Sequence, residues 1–136
     1  MRTVCILGLC VIFICYAEMA FTESDEMCCT WVNMKYTSAK RPQKLIRNYD
    51  GTFASYISKT SVDALEKGTF RIVKKWNDSK GNIWYQVQIQ GAGIEKKYEL
   101  SRISNNGKKL ECLFERNGYP NDINPNHANY CIYTRD

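Results

Sequence analysis

Residues 81–90 read GNIWYQVQIQ, and this alternation constrains the fold more than any other stretch. Ile83, Tyr85, Val87 and Ile89 fall on one side of an extended chain; Trp84, Gln86, Gln88 and Gln90 fall on the other. Successive strand side chains point to opposite faces, so this pattern predicts a strand with one buried and one solvated face. The aliphatic face is the expected inside. Trp84 interrupts the polar face and is expected to pack beneath another element, either the N-terminal segment or a short helix.

Similar segments recur along the chain: 30–37, 51–58, 69–76, 81–90, 96–104, 108–115 and 129–134. They are rich in β-branched and aromatic residues and are bounded by turn signals such as NDSKGN and Asn105-Asn106-Gly107, the composition expected of strands in an all-β protein. Residues 60–68, TSVDALEKG, are the one helix-like stretch, with Thr60 or Ser61 as caps and Gly68 as a stop. Residues 115–129 form a polar loop carrying two prolines and many asparagines. No repeat or linker divides the chain.

The N-terminus carries Arg2 and then an apolar run from Val4 to Tyr16, followed by Ala17, Ala20 and the charged stretch TESDE. Such a run is too short to span a bilayer, which takes about twenty apolar residues. It reads as a removable secretory signal over residues 1–17, with cleavage at 20 as a second option, leaving one secreted domain over 18–136. Cys28, Cys29, Cys112 and Cys131 then remain in an oxidising compartment, where an even number of cysteines predicts disulfides. A bridge between adjacent residues is strained, so each of Cys28 and Cys29 is expected to reach one of the two late cysteines. Two connectivities satisfy this. Either ties the start of the domain to its end and makes the terminal strands neighbours. A meander whose ends meet is a single antiparallel barrel, here of about seven to eight strands with one short helix; an open β-sandwich is the alternative.

GTFASYI, GNIWYQVQI, YELSRIS, GKKLE and NYCIYTR occur in this order over about residues 51–135. This series resembles a group of small secreted or lipoprotein-type β proteins of unassigned function, and the architecture is similar to a lipocalin-like (calycin) barrel. The resemblance implies a barrel with an interior able to hold a small ligand. The Gly-x-Trp of lipocalins is absent near the first strand, and the domain is shorter than most lipocalins.

The net charge is +5, but the lysines and arginines are dispersed, which describes a solvated surface rather than a nucleic-acid groove. An anionic surface or an extracellular protein is the kind of outside partner this charge permits. Asn77-Asp78-Ser79 is a glycosylation sequon in a polar turn. His127, the single histidine, lies in the polar loop without a recognisable nucleophile, and the acidic residues sit mostly in turns or beside lysines. Neither constellation suits general acid–base or nucleophilic catalysis. NYDGT and NDSKGN offer oxygens but do not match a twelve-residue calcium loop, so neither metal nor cofactor is expected. The aromatics are the better candidates: core filling for most of them, and for Tyr85, Tyr98 and Arg102 a ligand-binding role on an inner wall. Tyr98, Leu100 and Arg102 share one strand face, and an inward arginine requires a carboxylate or a ligand anion beside it. The sequence therefore predicts a non-enzymatic secreted binding protein for a small apolar ligand. The alternative is a secreted effector, venom or matrix protein working through its exterior.

Overall fold

A computed structural model describes residues 25–33, 41–93 and 95–136. The signal reading over residues 1–17 and the second half of the first expected strand (34–37) lie outside the described residues. The described chain forms eight strands: β1 (Thr30–Val32), β2 (Lys44–Arg47), β3 (Thr52–Tyr56), β4 (Glu66–Asn77), β5 (Ile83–Gly91), β6 (Lys97–Ser104), β7 (Lys109–Glu115) and β8 (Tyr130–Arg135). Each pairs antiparallel with the next, and β1 pairs with β8 through Trp31↔Arg135 and Val32↔Thr134, closing the meander into a barrel. The terminal strands are neighbours, as expected.

Turn chemistry sets the hairpins. Asn106 and Gly107 both adopt positive φ (56° and 83°), and Lys108 N–H donates to Asn105 C=O at 3.2 Å. Asn105 also has positive φ (54°), so the tight turn rests on three residues in the left-handed region that Asn and Gly enter most readily. Between β4 and β5 the Asp78 carboxylate accepts from the Lys80 and Asn82 amides and from the Trp84 indole. These bonds hold its carboxyl well below the usual range. Gly68 lies so close to β5 that a Cβ there would collide with the Gln90 carbonyl.

Four local expectations are corrected. Residues 57–65 form a loop rather than a helix, stapled by a Ser58–Ser61 hydroxyl contact of 2.7 Å. One helical turn gains too few hydrogen bonds to offset its nucleation, and Val62 and Leu65 find no core to cover them. The four-residue β2 has no counterpart in the expected strands. A bulge at Val73 shifts the β4–β5 register between Ile72 and Lys74. One extra residue reverses the facing of the strand beyond it, so Lys75 joins the inner face opposite Tyr85. Among the described residues Trp84 packs beneath neither the N-terminal segment nor a helix: it stacks on Trp76 across the ladder, with centroids 6.0 Å apart.

Two apolar layers result. The inner core includes Trp31, Leu45, Phe53, Phe70, Tyr85, Val87, Ile89, Ile103, Leu110 and Tyr133. Leu100, Leu113, Ile123 and Tyr130 form a second cluster on the outer face of β6–β8, bordered by Trp76 and Trp84. Ile123 comes from the 116–129 loop, so this polar-looking loop covers the outside of the barrel. Full burial of each such side chain contributes about 1.5–3 kcal/mol.

Candidate functional site: the open end of the barrel

The two barrel ends are built differently because the chain before β1 fills one of them. Met27 is fully buried there, and its carbonyl accepts from the Trp31 indole at 3.0 Å. Asp25 accepts from the Tyr85 hydroxyl at 2.9 Å and from the Lys75 ammonium at 2.8 Å. Burial alone would lower the Lys75 pKa, but the Asp25 and Glu26 carboxylates raise it overall. Burial, reinforced by Asp25, pushes the Tyr85 phenol well up. The Arg135 guanidinium lies over the Trp31 ring, 5.5 Å from its centroid, and donates to the Glu26 carbonyl at 2.9 Å. The plug is thus pinned from β1, β4, β5 and β8.

At the other end a cavity of about 480 Å³ opens. Pro42, Leu45, Phe53, Ile89 and Phe114 supply its apolar walls. Glu66, Lys97, Arg116 and Asn129 stand around it at or beside the ends of β4, β6, β7 and β8. Its inner part is polar: Arg47 reaches from β2 to Glu99 on β6 with an Nη2–Oε2 distance of 2.6 Å, both side chains almost wholly buried. The Ser101 hydroxyl donates to the other Glu99 oxygen. Arg47 Nη1 lies 2.9 Å from Met27 Sδ, and the guanidinium sits 5.4 Å from the Phe70 centroid. Burial would lower the Arg47 pKa, yet the Glu99 carboxylate holds it above its ordinary value. Arg47 therefore touches the plug on one side and the cavity on the other. Its Nε–H is buried and meets no hydrogen-bond acceptor among the described residues. A pair of opposite charges leaves the pocket without net charge at its floor, but with donor and acceptor capacity to spare.

The structure separates the residues singled out in the sequence. Tyr85 faces inward but belongs to the closed end, bound to Asp25. Tyr98 and Arg102 face outward: Tyr98 meets Tyr119 edge-on at 5.1 Å, and Arg102 covers Trp84 at 5.1 Å while binding Glu111 at 2.8 Å. None of the three lines the cavity. The shared face of Tyr98, Leu100 and Arg102 is real but is the outer one, because the 116–129 loop covers Leu100. The inner face of β6 is Lys97, Glu99, Ser101 and Ile103, opposite Ile89, Val87, Tyr85 and Ile83. The inward arginine, with the carboxylate it requires, is Arg47. Pairing β6 against the apolar face of β5 was the signal able to reveal Glu99.

Cys112 and Cys131 lie directly opposite each other on β7 and β8, both buried and both lining the cavity. Neither expected connectivity contains this pairing. Cys28 is buried in the plug and Cys29 half-buried beside it; no disulfide joins the cysteines among the described residues. Burial, with help from Asp25, pushes the Cys28 thiol up to about 11. Asn77 is exposed at the end of β4. His127 Nδ1 accepts from the Asn129 amide at 3.0 Å, and its Nε2 lies 3.6 Å from Glu115. That arrangement orders the loop and presents no nucleophile. Among the described residues, no three His, Cys, Asp or Glu side chains are grouped to hold a metal ion. No family model, no curated protein and no solved structure matches this chain.

Proposed function

We propose that this protein is a secreted, non-enzymatic carrier that holds a small, largely apolar ligand in the open end of a lipocalin-like barrel. The observation that carries this reading is the cavity of about 480 Å³ between Leu45, Phe53, Ile89 and Phe114, with a neutral polar floor. Its volume lies within the roughly 300–1,000 Å³ typical of small-molecule pockets, which pair apolar walls with a few placed polar groups. A barrel filled to its rim by side chains would speak against carriage. The closed end supports the reading too, since a plugged base gives the pocket one mouth.

Titration with the apolar fluorophore N-phenyl-1-naphthylamine tests the proposal. Wild type should bind one probe per chain. Ser55, buried on the cavity wall, should lose at least about tenfold in affinity as Ser55→Phe, a change of about 1.4 kcal/mol, with an unchanged circular dichroism spectrum. Absence of binding in the wild type, or equal binding in the variant, would refute it.

A second reading, an effector or matrix protein acting through its exterior, is favoured by one feature. The 57–65 loop exposes Ile57, Val62 and Leu65, with Val62 92% accessible. Side chains left bare this way can mark a contact surface. Replacing all three with serine should leave probe binding intact and abolish any association that this loop mediates.

A further inference from the structure

The cavity wall carries the two facing thiols of Cys112 and Cys131, and their place in the ladder determines what they can do. In the β7–β8 ladder Arg135 N–H donates to Lys108 C=O at 2.9 Å, a bond between residues that lie opposite each other. Hydrogen-bonded and non-hydrogen-bonded pairs alternate along an antiparallel ladder. Cys112 and Cys131 lie four rungs further on, so they form a hydrogen-bonded pair, with Cα atoms about 5.5 Å apart. That spacing falls within the range a disulfide spans, roughly 4.4–6.8 Å. The Cβ atoms of such a pair start near about 5.5 Å, wider than the roughly 3.8 Å mean of a relaxed disulfide. Closing the bond must draw the strands together, and a strained disulfide is more readily reduced.

We propose that Cys112 and Cys131 are a reversible thiol–disulfide couple in the cavity wall, made and broken by small-molecule disulfides and thiols that enter through the open end. One thiolate attacks a sulfur of the incoming disulfide R–S–S–R, forming a mixed disulfide and expelling RS⁻. The facing thiolate then attacks the protein sulfur of that mixed disulfide and expels the second RS⁻. Two cysteines are oxidised, one small disulfide is reduced to two thiols, and the two cysteine protons pass to the departing thiolates. The reverse sequence, begun by a small thiolate, restores the pair.

The surroundings make this couple slow but accessible. Burial and the Glu99 carboxylate hold the Cys112 thiol well up, with Arg47 opposing. Burial also raises Cys131, opposed by its bond to Tyr133 and by the charges of Arg41 and Lys97. Closure draws β7 and β8 together at two residues that line the cavity, and so narrows it. Redox state thereby alters the pocket itself. The couple does not rest on the carrier reading, since it needs only the two facing thiols and the open mouth.

Oxidised glutathione in excess, added to the intact folded protein, tests the couple by peptide mass spectrometry. The expected product is a linked peptide pair joining Cys112 to Cys131, lighter by two hydrogens and restored by dithiothreitol. The Cys28→Ser/Cys29→Ser variant should give the same product, and Cys131→Ser should give none while retaining its circular dichroism spectrum. Bridges from Cys28 or Cys29 to either late cysteine, a lasting mixed disulfide, or no linkage at all would overturn the proposal. Probe binding measured in both redox states separates this outcome from the carrier reading. A linked pair with no probe binding sinks the carrier alone, and probe binding with no linked pair sinks the couple alone.

Discussion

At the closed end of the barrel, inward positions hold Trp31, Tyr85, Ile103 and Leu110, and the chain before β1 adds Met27 and Asp25, all of them buried. At the open end the same inward series continues as Leu45, Phe53, Ser55, Ile89 and Phe114, and a cavity is left between them. The strand pattern is the same at both ends. What differs is side-chain volume and the presence of a plug, with the Arg47–Glu99 pair at the boundary. An alternating ribbon thus specifies a barrel, while the filling of each layer decides whether that layer is a core or a binding site.

Substitutions at the two ends test this contrast. The largest effect is expected at Trp31→Ala, which empties the closed end and removes the indole bond to Met27. Denaturant unfolding should show a loss toward the upper end of roughly 3–5 kcal/mol, whereas Phe114→Ala, on the half-open wall, should cost about 1 kcal/mol. Equal losses would mean that both ends are packed alike. At the boundary, Glu99→Leu strands a buried guanidinium and should cost about 3 kcal/mol, with most of it recovered in Arg47→Met/Glu99→Leu. Failure of the double variant to recover would show that Glu99 acts through something other than Arg47.

Alkaline pH should weaken the fold through groups that burial holds protonated, Cys28 in the plug among them. Cys28 is raised by burial from 9.0 to about 11, and Tyr85 is also raised. Above about pH 9 the unfolded chain holds fewer protons than the folded one, so stability is fully present below that pH and falls as pH rises toward and past about 11. Unfolding midpoints measured from about pH 8 to about pH 11 should decline, less steeply in Cys28→Ser. Tyr85→Phe, which removes one bond from Asp25 while Lys75 and the Met27 amide remain, should cost about 1 kcal/mol. The smallest effect is expected at the open rim, where Arg116→Ala breaks an exposed pair with Glu95 at 3.5 Å and should change stability by less than about 0.5 kcal/mol.

Much of the architecture was legible because alternation is a local signal. β5, β7 and β8 show their inner faces in the sequence as Ile83/Tyr85/Val87/Ile89, Leu110/Cys112/Phe114 and Cys131/Tyr133. The closure of β1 on β8 was expected from disulfides between the two ends; strand pairing makes that seam instead, with no disulfide among the described residues. The site was less legible because its polar members violate the pattern. β2 reads KLIR, with a charge at an inward position, and looks like surface until its partner on β6 is known. Glu99 and Ser101 flank the apolar Leu100, so hydropathy alone inverts the faces of that strand. A single bulged residue, Val73, likewise moved Lys75 to the inside. Such reversals depend on contacts between segments distant in sequence, which no local pattern carries.

A two-dimensional carbon–proton NMR titration of the protein with an apolar probe tests most directly whether the open end alone is a binding site. Shift changes are expected at the methyl and aromatic groups of Leu45, Phe53, Ile89 and Phe114, with Ile103 and Leu110 at the closed end unmoved. Shifts confined to the outer faces, or spread equally through both ends, would contradict a barrel filled at one end and empty at the other.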